Sequence, residues 1–154
     1  MPTHPPCGVY KTTRAFGDVP AGRLVNFHNH GDPGPGIYLP KSWRLNEAEW
    51  QERGITTPDA EWTSTLQPLP AQGLCMVTRA FACCEKQCVT FREGQLVQLG
   101  YDGEANPIVF TPEWTVRGLG FPERGTRVDL ERLSALKLLS VARGADAPPS
   151  GLLH

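Results

Sequence analysis

Apolar and polar residues alternate along two stretches of this chain, and the alternation predicts β-strands, whose side chains point to opposite faces in turn. In LVNFHNH, residues 24–30, one strand face carries Leu24, Asn26, His28 and His30, and the other carries Val25 and Phe27. LVQL, residues 96–99, has the same pattern. A segment rich in turn-forming residues follows each stretch, at 31–36 and 103–107, and is typical of a β-hairpin.

Two other segments have apolar spacings that are typical of helices. LNEAEWQER, residues 45–53, places Leu45, Ala48 and Trp50 at helical spacing and ends before a glycine, which commonly stops a helix. VDLERLSALKLL, residues 128–139, is a candidate C-terminal helix with Asp129 as its N-cap. The leucines of this second segment alternate between helix-like and strand-like spacing.

The chain also resembles itself. GRLVNFHNHGDPGPGIYLPKSW, residues 22–43, aligns with GQLVQLGYDGEANPIVFTPEW, residues 94–114, and the tryptophan that closes each segment stands the same distance before an identical Glu-Arg-Gly. Thr-Arg-Ala-Phe also occurs twice, at 13–16 and 78–81. Matches in the same order at nearly constant offset indicate a tandem duplication of a unit of about seventy residues.

These patterns predict a mainly β fold (β-rich α+β) built from two similar units. Each unit is expected to be small-barrel-like or a hairpin plus a helix, and the two units to be related by a pseudo-two-fold axis. The first unit spans 7–73, and the second spans 74–144 with a cysteine-bearing insertion at 82–88. Residues 1–6 and 145–154 are predicted to be flexible tails, and the two units to form one compact domain.

Composition and charge narrow the function classes. The chain has 15 Lys and Arg against 16 Asp and Glu, so it lacks the basic excess that general nucleic-acid binding requires. Its 16 Gly and 15 Pro, without low-complexity tracts, fit many short strands joined by turns. The N-terminus has neither a basic segment followed by an apolar one nor a run long enough to cross a bilayer, which predicts a cytoplasmic protein without membrane contact.

Features that only one unit possesses are the candidates for added function, because shared features such as Trp43 and Trp114 are assigned to packing. The first unit alone has His28 and His30, which lie on the same face of a strand and could hold one metal ion, as in several zinc enzymes. The alternative is that both histidines are half-exposed residues at the end of a hairpin and bind no metal.

The second unit alone has Cys83, Cys84 and Cys88, and thiolates are soft ligands that a short loop gathers at little entropic cost. The spacing differs from that of a standard zinc knuckle, so it does not specify zinc. Cys75, Cys7 or a hairpin histidine would have to supply the fourth ligand of a zinc site. A disulfide, free thiols or a redox-active thiol are the alternatives.

Apart from these candidate ligands the sequence offers no catalytic motif, because it lacks a Walker loop, a dinucleotide-binding glycine pattern and a Gly-x-Ser-x-Gly elbow. The first hypothesis is a non-enzymatic protein-binding or structural module, braced by zinc, whose partner is another protein or a second copy of the chain. Its interaction surface would come from the aromatic residues of the first unit, Tyr38, Trp43, Trp50 and Trp62.

Two further hypotheses use the candidate ligands directly. One is a metal-dependent hydrolase, in which His28 and His30 hold the metal together with a cysteine or Asp32, and Glu85 or Asp32 acts as general base. The other is a thiol redox sensor that uses the three cysteines of the insertion.

Overall fold

The computed structural model describes residues 3–31, 34–57, 59–142 and 144, and the prediction of a mainly β fold is confirmed. The first half contains β1 Gly8–Lys11, β2 Leu24–His28, β3 Gly36–Tyr38, β4 Pro40–Arg44, β5 Glu47–Trp50, β6 Ile55–Thr56, α1 Ala60–Thr63 and β7 Gln67–Pro68. The second half contains β8 Gly73–Val77, β9 Phe81–Ala82, β10 Thr90–Phe91, β11 Leu96–Tyr101, β12 Pro107–Phe110, β13 Glu113–Thr115, β14 Gly118–Gly120, β15 Thr126–Arg127, a 3₁₀ helix Leu130–Ala135, and β16 Leu136–Leu138.

Most strands belong to two antiparallel sheets with corresponding strand orders. The first five-stranded sheet has the order β6-β3-β2-β1-β7, and the second has the order β15-β12-β11-β8-β16. The registers also correspond, because Asn26 pairs with Tyr38 across β2 and β3 as Gln98 pairs with Phe110 across β11 and β12. In the described part of the chain both sheets are open, with β6, β7, β15 and β16 as edges, so neither closes into the predicted small barrel.

The strand β2 is buried on both of its faces, although its alternating pattern is typical of a half-exposed strand. Val25 and Phe27 pack in a small core with Tyr10, and Leu24 reaches a larger core on the other side. The polar side chain of Asn26 is consequently buried as well. The alternation correctly identifies the strand, but only the tertiary contacts decide that both of its faces lie inside the protein.

Three two-stranded hairpins accompany the sheets in the described residues. One is β9 with β10; hairpin 1 is β4 with β5, and hairpin 2 is β13 with β14. Hairpin 1 lies across the second sheet, where Trp43 Nε1 donates a hydrogen bond to the Tyr101 carbonyl oxygen at 2.7 Å. Gln98 Nε2 donates to the Leu45 carbonyl oxygen, also at 2.7 Å. The first half of the chain therefore contacts the second half through the hydrogen bonds of this hairpin.

The helix predicted over 45–53 is wrong, because this segment forms the turn and second strand of hairpin 1. Leu45 and Asn46 have φ values of 50° and 68°, the left-handed conformation that a two-residue type I′ hairpin turn requires at both central positions. Ala48 is buried in the larger core and Trp50 packs against it, so the two apolar residues use strand periodicity.

The C-terminal helix predicted over 128–139 is also wrong for half of its length. Only Leu130–Ala135 is helical, as a 3₁₀ helix, and Asp129 makes no side-chain cap hydrogen bond. Leu136–Leu138 instead pairs with β8 as an edge strand. Strand pairing satisfies backbone groups of β8 that a helix would leave without partners, and this outweighs the helical spacing of the leucines.

The larger hydrophobic core contains residues from both halves of the chain. From the first half come Leu24, Ala48 and Leu69, and from the second come, among others, Val97 and Tyr101. The smaller core, around Phe27 and Trp62, belongs to the first half alone. The two halves therefore share their main apolar interior.

The segment predicted as an N-terminal tail makes specific contacts where it is described. His4 Nδ1 lies 2.8 Å from Thr63 Oγ1, and the Tyr10 hydroxyl donates to the Pro6 carbonyl oxygen at 2.6 Å. The predicted C-terminal tail, 145–154, lies outside the described residues.

Candidate metal centres

Three of the four cysteines of the second half, Cys83, Cys84 and Cys88, lie on a loop that a short hairpin holds in place. The strands β9 and β10 pair, and the rings of Phe81 and Phe91 stack with their centroids 4.8 Å apart. In the first half, Phe16 and Val19 form a β-bridge at the corresponding point, directly after the shared Thr-Arg-Ala. The cysteine loop, residues 83–89, therefore lies where the first half has only a two-residue turn, 17–18.

The sulfur atoms of Cys83, Cys84 and Cys88 all lie within 4.8 Å of one another, so the three residues could hold a metal ion. Hydrogen bonding from the Cys83 thiol, and then from the backbone N–H groups of Cys88 and Lys86, lowers the pKa of the Cys84 thiol. The charge of Cys84 in turn raises the pKa of Cys88. A thiol with a lowered pKa is more readily deprotonated, and the thiolate is the form that binds metal ions.

Cys75, the other predicted cysteine ligand, is not part of this group. It lies on β8 in the larger core, where it is 2% exposed. Burial raises the pKa of its thiol to about 11, so Cys75 keeps its proton at neutral pH. The structure thus brings together the three cysteines of the loop and places Cys75 elsewhere.

A second group that could hold a metal ion consists of Cys7, His28 and His30, whose ligand atoms also lie within 4.8 Å of one another. Cys7 directly precedes β1 and His28 ends β2, and the antiparallel pairing of Gly8 with Phe27 brings the two residues together. The imidazole rings of His28 and His30 are 4.0 Å apart at an angle of 45°. His28 is buried at 8% exposure, whereas His30 is exposed.

Asn29 connects the members of this second group. Its backbone N–H donates to Cys7 Sγ at 3.3 Å, and its side-chain Oδ1 accepts from the Cys7 thiol at 3.3 Å. The same oxygen lies 2.9 Å from His30 Nδ1. Asn29 Nδ2 donates to the Pro5 carbonyl oxygen at 3.1 Å, which fixes the orientation of the amide.

Sequence reasoning named Cys7 only as an optional fourth ligand for the cysteine loop. The structure places it beside the histidines instead, because of the register between β1 and β2. A single sequence does not reveal that register, although a cysteine just before one strand and histidines at the end of a neighbouring strand are a usable signal. Asp32, the other proposed ligand beside the histidines, lies outside the described residues.

The four aromatic residues predicted to form an interaction surface lie in different environments. Trp62 is buried in the smaller core, and Trp50 packs against the larger one. Tyr38 is half-buried beside His28, with the ring centroids 6.5 Å apart. Trp43 is 44% exposed and is the most accessible of the four, but its indole N–H donates a hydrogen bond to the Tyr101 carbonyl oxygen in the second sheet.

Hairpin 2 carries exposed apolar side chains that sequence reasoning did not identify. Trp114 is 84% exposed and Val116 is fully exposed, and they are joined by Leu119 and the adjacent Phe121. The assignment of Trp114 to packing is therefore wrong. In the described residues hairpin 1 packs against β11, whereas no comparable packing of hairpin 2 on another element is found.

Other surface features do not add a candidate site. Two open depressions, one beside Lys41 and Arg53 and the other beside Lys11 and Arg23, contain neither cysteine nor histidine. Among the residues that the structure describes, no helix has the length and apolar character to cross a membrane.

A scan against protein-family models, a search of curated proteins and a search of solved structures each found no match.

Proposed function

We propose that this protein is a non-enzymatic protein-binding module that is stabilised by a zinc ion at its cysteine loop. The observation that carries the proposal is the contrast between the two hairpins. Hairpin 1 packs on a sheet of its own chain, whereas hairpin 2 presents Trp114 and Val116 to solvent.

Exposed apolar side chains that cluster are typical of binding sites, whereas single exposed ones are ordinary. On hairpin 2, Trp114 pairs directly with Leu119 across the two strands, and Val116 lies at the turn between them. Tryptophan is among the residues that contribute most to the free energy of protein association. Hairpin 2 is accordingly the proposed binding element.

We also propose that the chain arose by tandem duplication, which suggests what hairpin 2 binds. Support comes from the matching strand orders and from the hairpin registers, in which Trp43 pairs with Ala48 as Trp114 pairs with Leu119. Hairpin 1 binds a sheet face where Gly100 leaves room for its turn. A partner of hairpin 2 would offer a similar sheet face, either on a second copy of this chain or on another protein.

Sedimentation velocity over a wide concentration range tests this proposal. We expect the wild type to self-associate, and Val116→Ser to remain monomeric with an unchanged unfolding midpoint. Leu45→Ser is the matched control, because Leu45 is 79% exposed at the corresponding turn of hairpin 1. We expect Leu45→Ser to associate as the wild type does.

Two results would change the proposal. Equal association of Val116→Ser and the wild type would mean that hairpin 2 is not the binding element. A wild type that remains monomeric at every concentration would exclude self-association and restrict the proposal to a different partner protein.

The zinc part of the proposal rests on the three clustered thiols and on the lowered pKa of Cys84. Gln87 in the same loop has φ 53°, a conformation that is uncommon for a residue with a side chain and that a bound ion would help to hold. We expect a chelator to lower the unfolding midpoint of the wild type but not that of Cys84→Ser. An equal response of both proteins to the chelator would exclude the loop as the stabilising site.

Metal-dependent hydrolysis is a second candidate function, favoured by the position of Cys7 beside His28 and His30. A hydrolase of this kind also needs a general base. Among the described residues, the group around these histidines contains no carboxylate, and Glu85 belongs to the cysteine loop. Protein binding therefore has the stronger support.

Thiol redox chemistry is the third candidate, because Cys83 Sγ lies 3.5 Å from Cys84 Sγ and the pKa of Cys84 is lowered. It predicts that thiols of the metal-free protein disappear on mild oxidation and return on reduction, without loss of the fold. Irreversible oxidation, or none, would exclude it.

A further inference from the structure

We propose that Cys7, His28 and His30 bind a second metal ion, a zinc-type divalent ion whose fourth coordination position is open to solvent. This site is separate from the cysteine loop and does not depend on the protein-binding function.

The three ligand atoms are already close to the arrangement that such an ion requires. They lie within 4.8 Å of one another. Tetrahedral zinc, with Zn–S near 2.3 Å and Zn–N near 2.0 Å, needs ligand atoms separated by roughly 3.3 to 3.6 Å. Side-chain rotations that move the ligand atoms by about 1 Å are therefore enough to complete the site. The paired strands β1, which follows Cys7, and β2, which ends at His28, can stay in place.

An unpartnered nitrogen atom of His28 is independent support for a metal ion at this site. Its Nε2 atom is buried and has no hydrogen-bond partner among the described residues. A buried polar atom without a partner destabilises the folded protein, so native proteins seldom leave one unsatisfied. The corresponding position in the second sheet is Gly100, so the imidazole is not part of the architecture that the two sheets have in common.

Asn29 positions the other two candidate ligands, Cys7 and His30. Its backbone N–H donates to Cys7 Sγ at 3.3 Å, which fixes the position of the sulfur atom. Its side-chain Oδ1 lies 2.9 Å from His30 Nδ1, and the same ring nitrogen lies 3.8 Å from Cys7 Sγ. Asn29 therefore holds the Cys7 sulfur and a His30 ring nitrogen near each other, as two ligands of one ion require.

The composition of the site indicates the class of ion. One thiolate and two neutral imidazoles suit zinc and related first-row ions, whereas magnesium and calcium prefer oxygen ligands. Three protein ligands leave the fourth position of a tetrahedral ion free. His30 is exposed, so water or a small anion can reach that position.

Metal titration of the whole 154-residue chain tests the proposal. The metal-free wild type and its variants are titrated with Zn²⁺, and with Co²⁺ to read the visible bands of a tetrahedral site. For the second site we expect one equivalent in the wild type, none in Cys7→Ser, and none in His30→Ala. His30→Ala is the main histidine variant because His30 is exposed, whereas removal of the buried His28 could impair folding.

Two control variants separate this site from other ligands. His4→Ala removes a histidine that contacts Thr63 and belongs to neither group, and we expect it to keep the wild-type stoichiometry. Cys84→Ser isolates the second site, and its remaining Co²⁺ should show charge transfer from a single thiolate. This result would support the second site even if the cysteine loop binds no metal.

Asn29→Ala tests the positioning role of Asn29. We expect it to retain the stoichiometry but to weaken the affinity for zinc by about 10- to 100-fold, with an unchanged unfolding midpoint of the metal-free protein. An unchanged affinity would exclude the positioning role. The proposal of the site itself is overturned if Cys84→Ser binds no metal, or if Cys7→Ser and His30→Ala bind it as the wild type does.

Discussion

At the scale of single residues, one strand position has opposite uses in the two sheets. Gly100 on β11 lies beneath hairpin 1, and a Cβ atom there would overlap the Asn46 carbonyl oxygen and lie 3.3 Å from the ring of Phe110. His28 at the corresponding position of β2 carries a buried imidazole. In the second sheet, the lack of a side chain at Gly100 allows hairpin 1 to pack on β11. In the first sheet, the imidazole of His28 is a candidate metal ligand.

We expect Gly100→Ala to lower the free energy of unfolding by about 1 to 3 kcal/mol, because the added methyl group forces hairpin 1 away from the sheet. Chemical denaturation measures this change. Gly103→Ala is the control, since its Cβ would meet only ordinary contacts with Trp43 and Arg23. Equal stability of the two variants would show that hairpin 1 does not pack closely against β11 at Gly100.

Asp102 organises the turn after β11. Its Oδ1 accepts from the backbone N–H groups of Glu104 and Asn106, and Arg127 lies 3.4 Å from its Oδ2. Partial burial would raise the pKa of Asp102, but the hydrogen bonds from Asn106 and Glu104 and the charge of Arg127 outweigh it and lower the pKa.

A folded-state pKa below the unfolded value of about 3.9 means that ionised Asp102 stabilises the protein above about pH 4. This stabilisation is lost as the pH falls through the folded-state pKa. We expect Asp102→Asn to cost roughly 1 kcal/mol at neutral pH, a discounted value because the carboxylate is partly exposed. The difference from the wild type should shrink below about pH 4 in denaturation curves, and a constant difference would contradict this assignment.

At the scale of elements, the two hairpins have the same pairing but different surroundings. Trp43 is bonded to the Tyr101 carbonyl oxygen, and Trp114 is 84% exposed. We expect Trp43→Ala to lower the free energy of unfolding by about 2 to 3 kcal/mol, and Trp114→Ala to change it by less than about 0.5 kcal/mol. Denaturation of both variants at low protein concentration checks this, and a large loss with Trp114→Ala would mean that hairpin 2 packs on its own chain.

At the scale of the whole molecule, the two halves share the larger core, to which Leu24 and Ala48 contribute from the first half and Tyr101 from the second. We therefore expect fragments 7–73 and 74–144 to be unfolded when produced separately, and the full chain to unfold in one transition. Circular dichroism and thermal melting measure both. A fragment that melts cooperatively by itself would show that each half is an independent domain.

Local patterns were sufficient for some features of this protein. Alternating side chains located β2 and β11, and turn-forming residues located the loops that follow them. The cysteine loop was predictable for a similar reason, because residues so close in sequence can meet without any distant contact. The group of Cys7 with His28 was not predictable in this way, because it depends on the register of two strands.

The mainly β character and the positions of the main strands follow from local sequence patterns, because alternation and turn residues act over a few neighbouring residues. Contacts between distant parts of the chain decide that 45–50 forms the turn and second strand of hairpin 1, that Cys7 lies beside the histidines, and that Trp43 packs while Trp114 is exposed. These outcomes depend on which surfaces meet across the chain, and the free energy of burying those surfaces outweighs local preference.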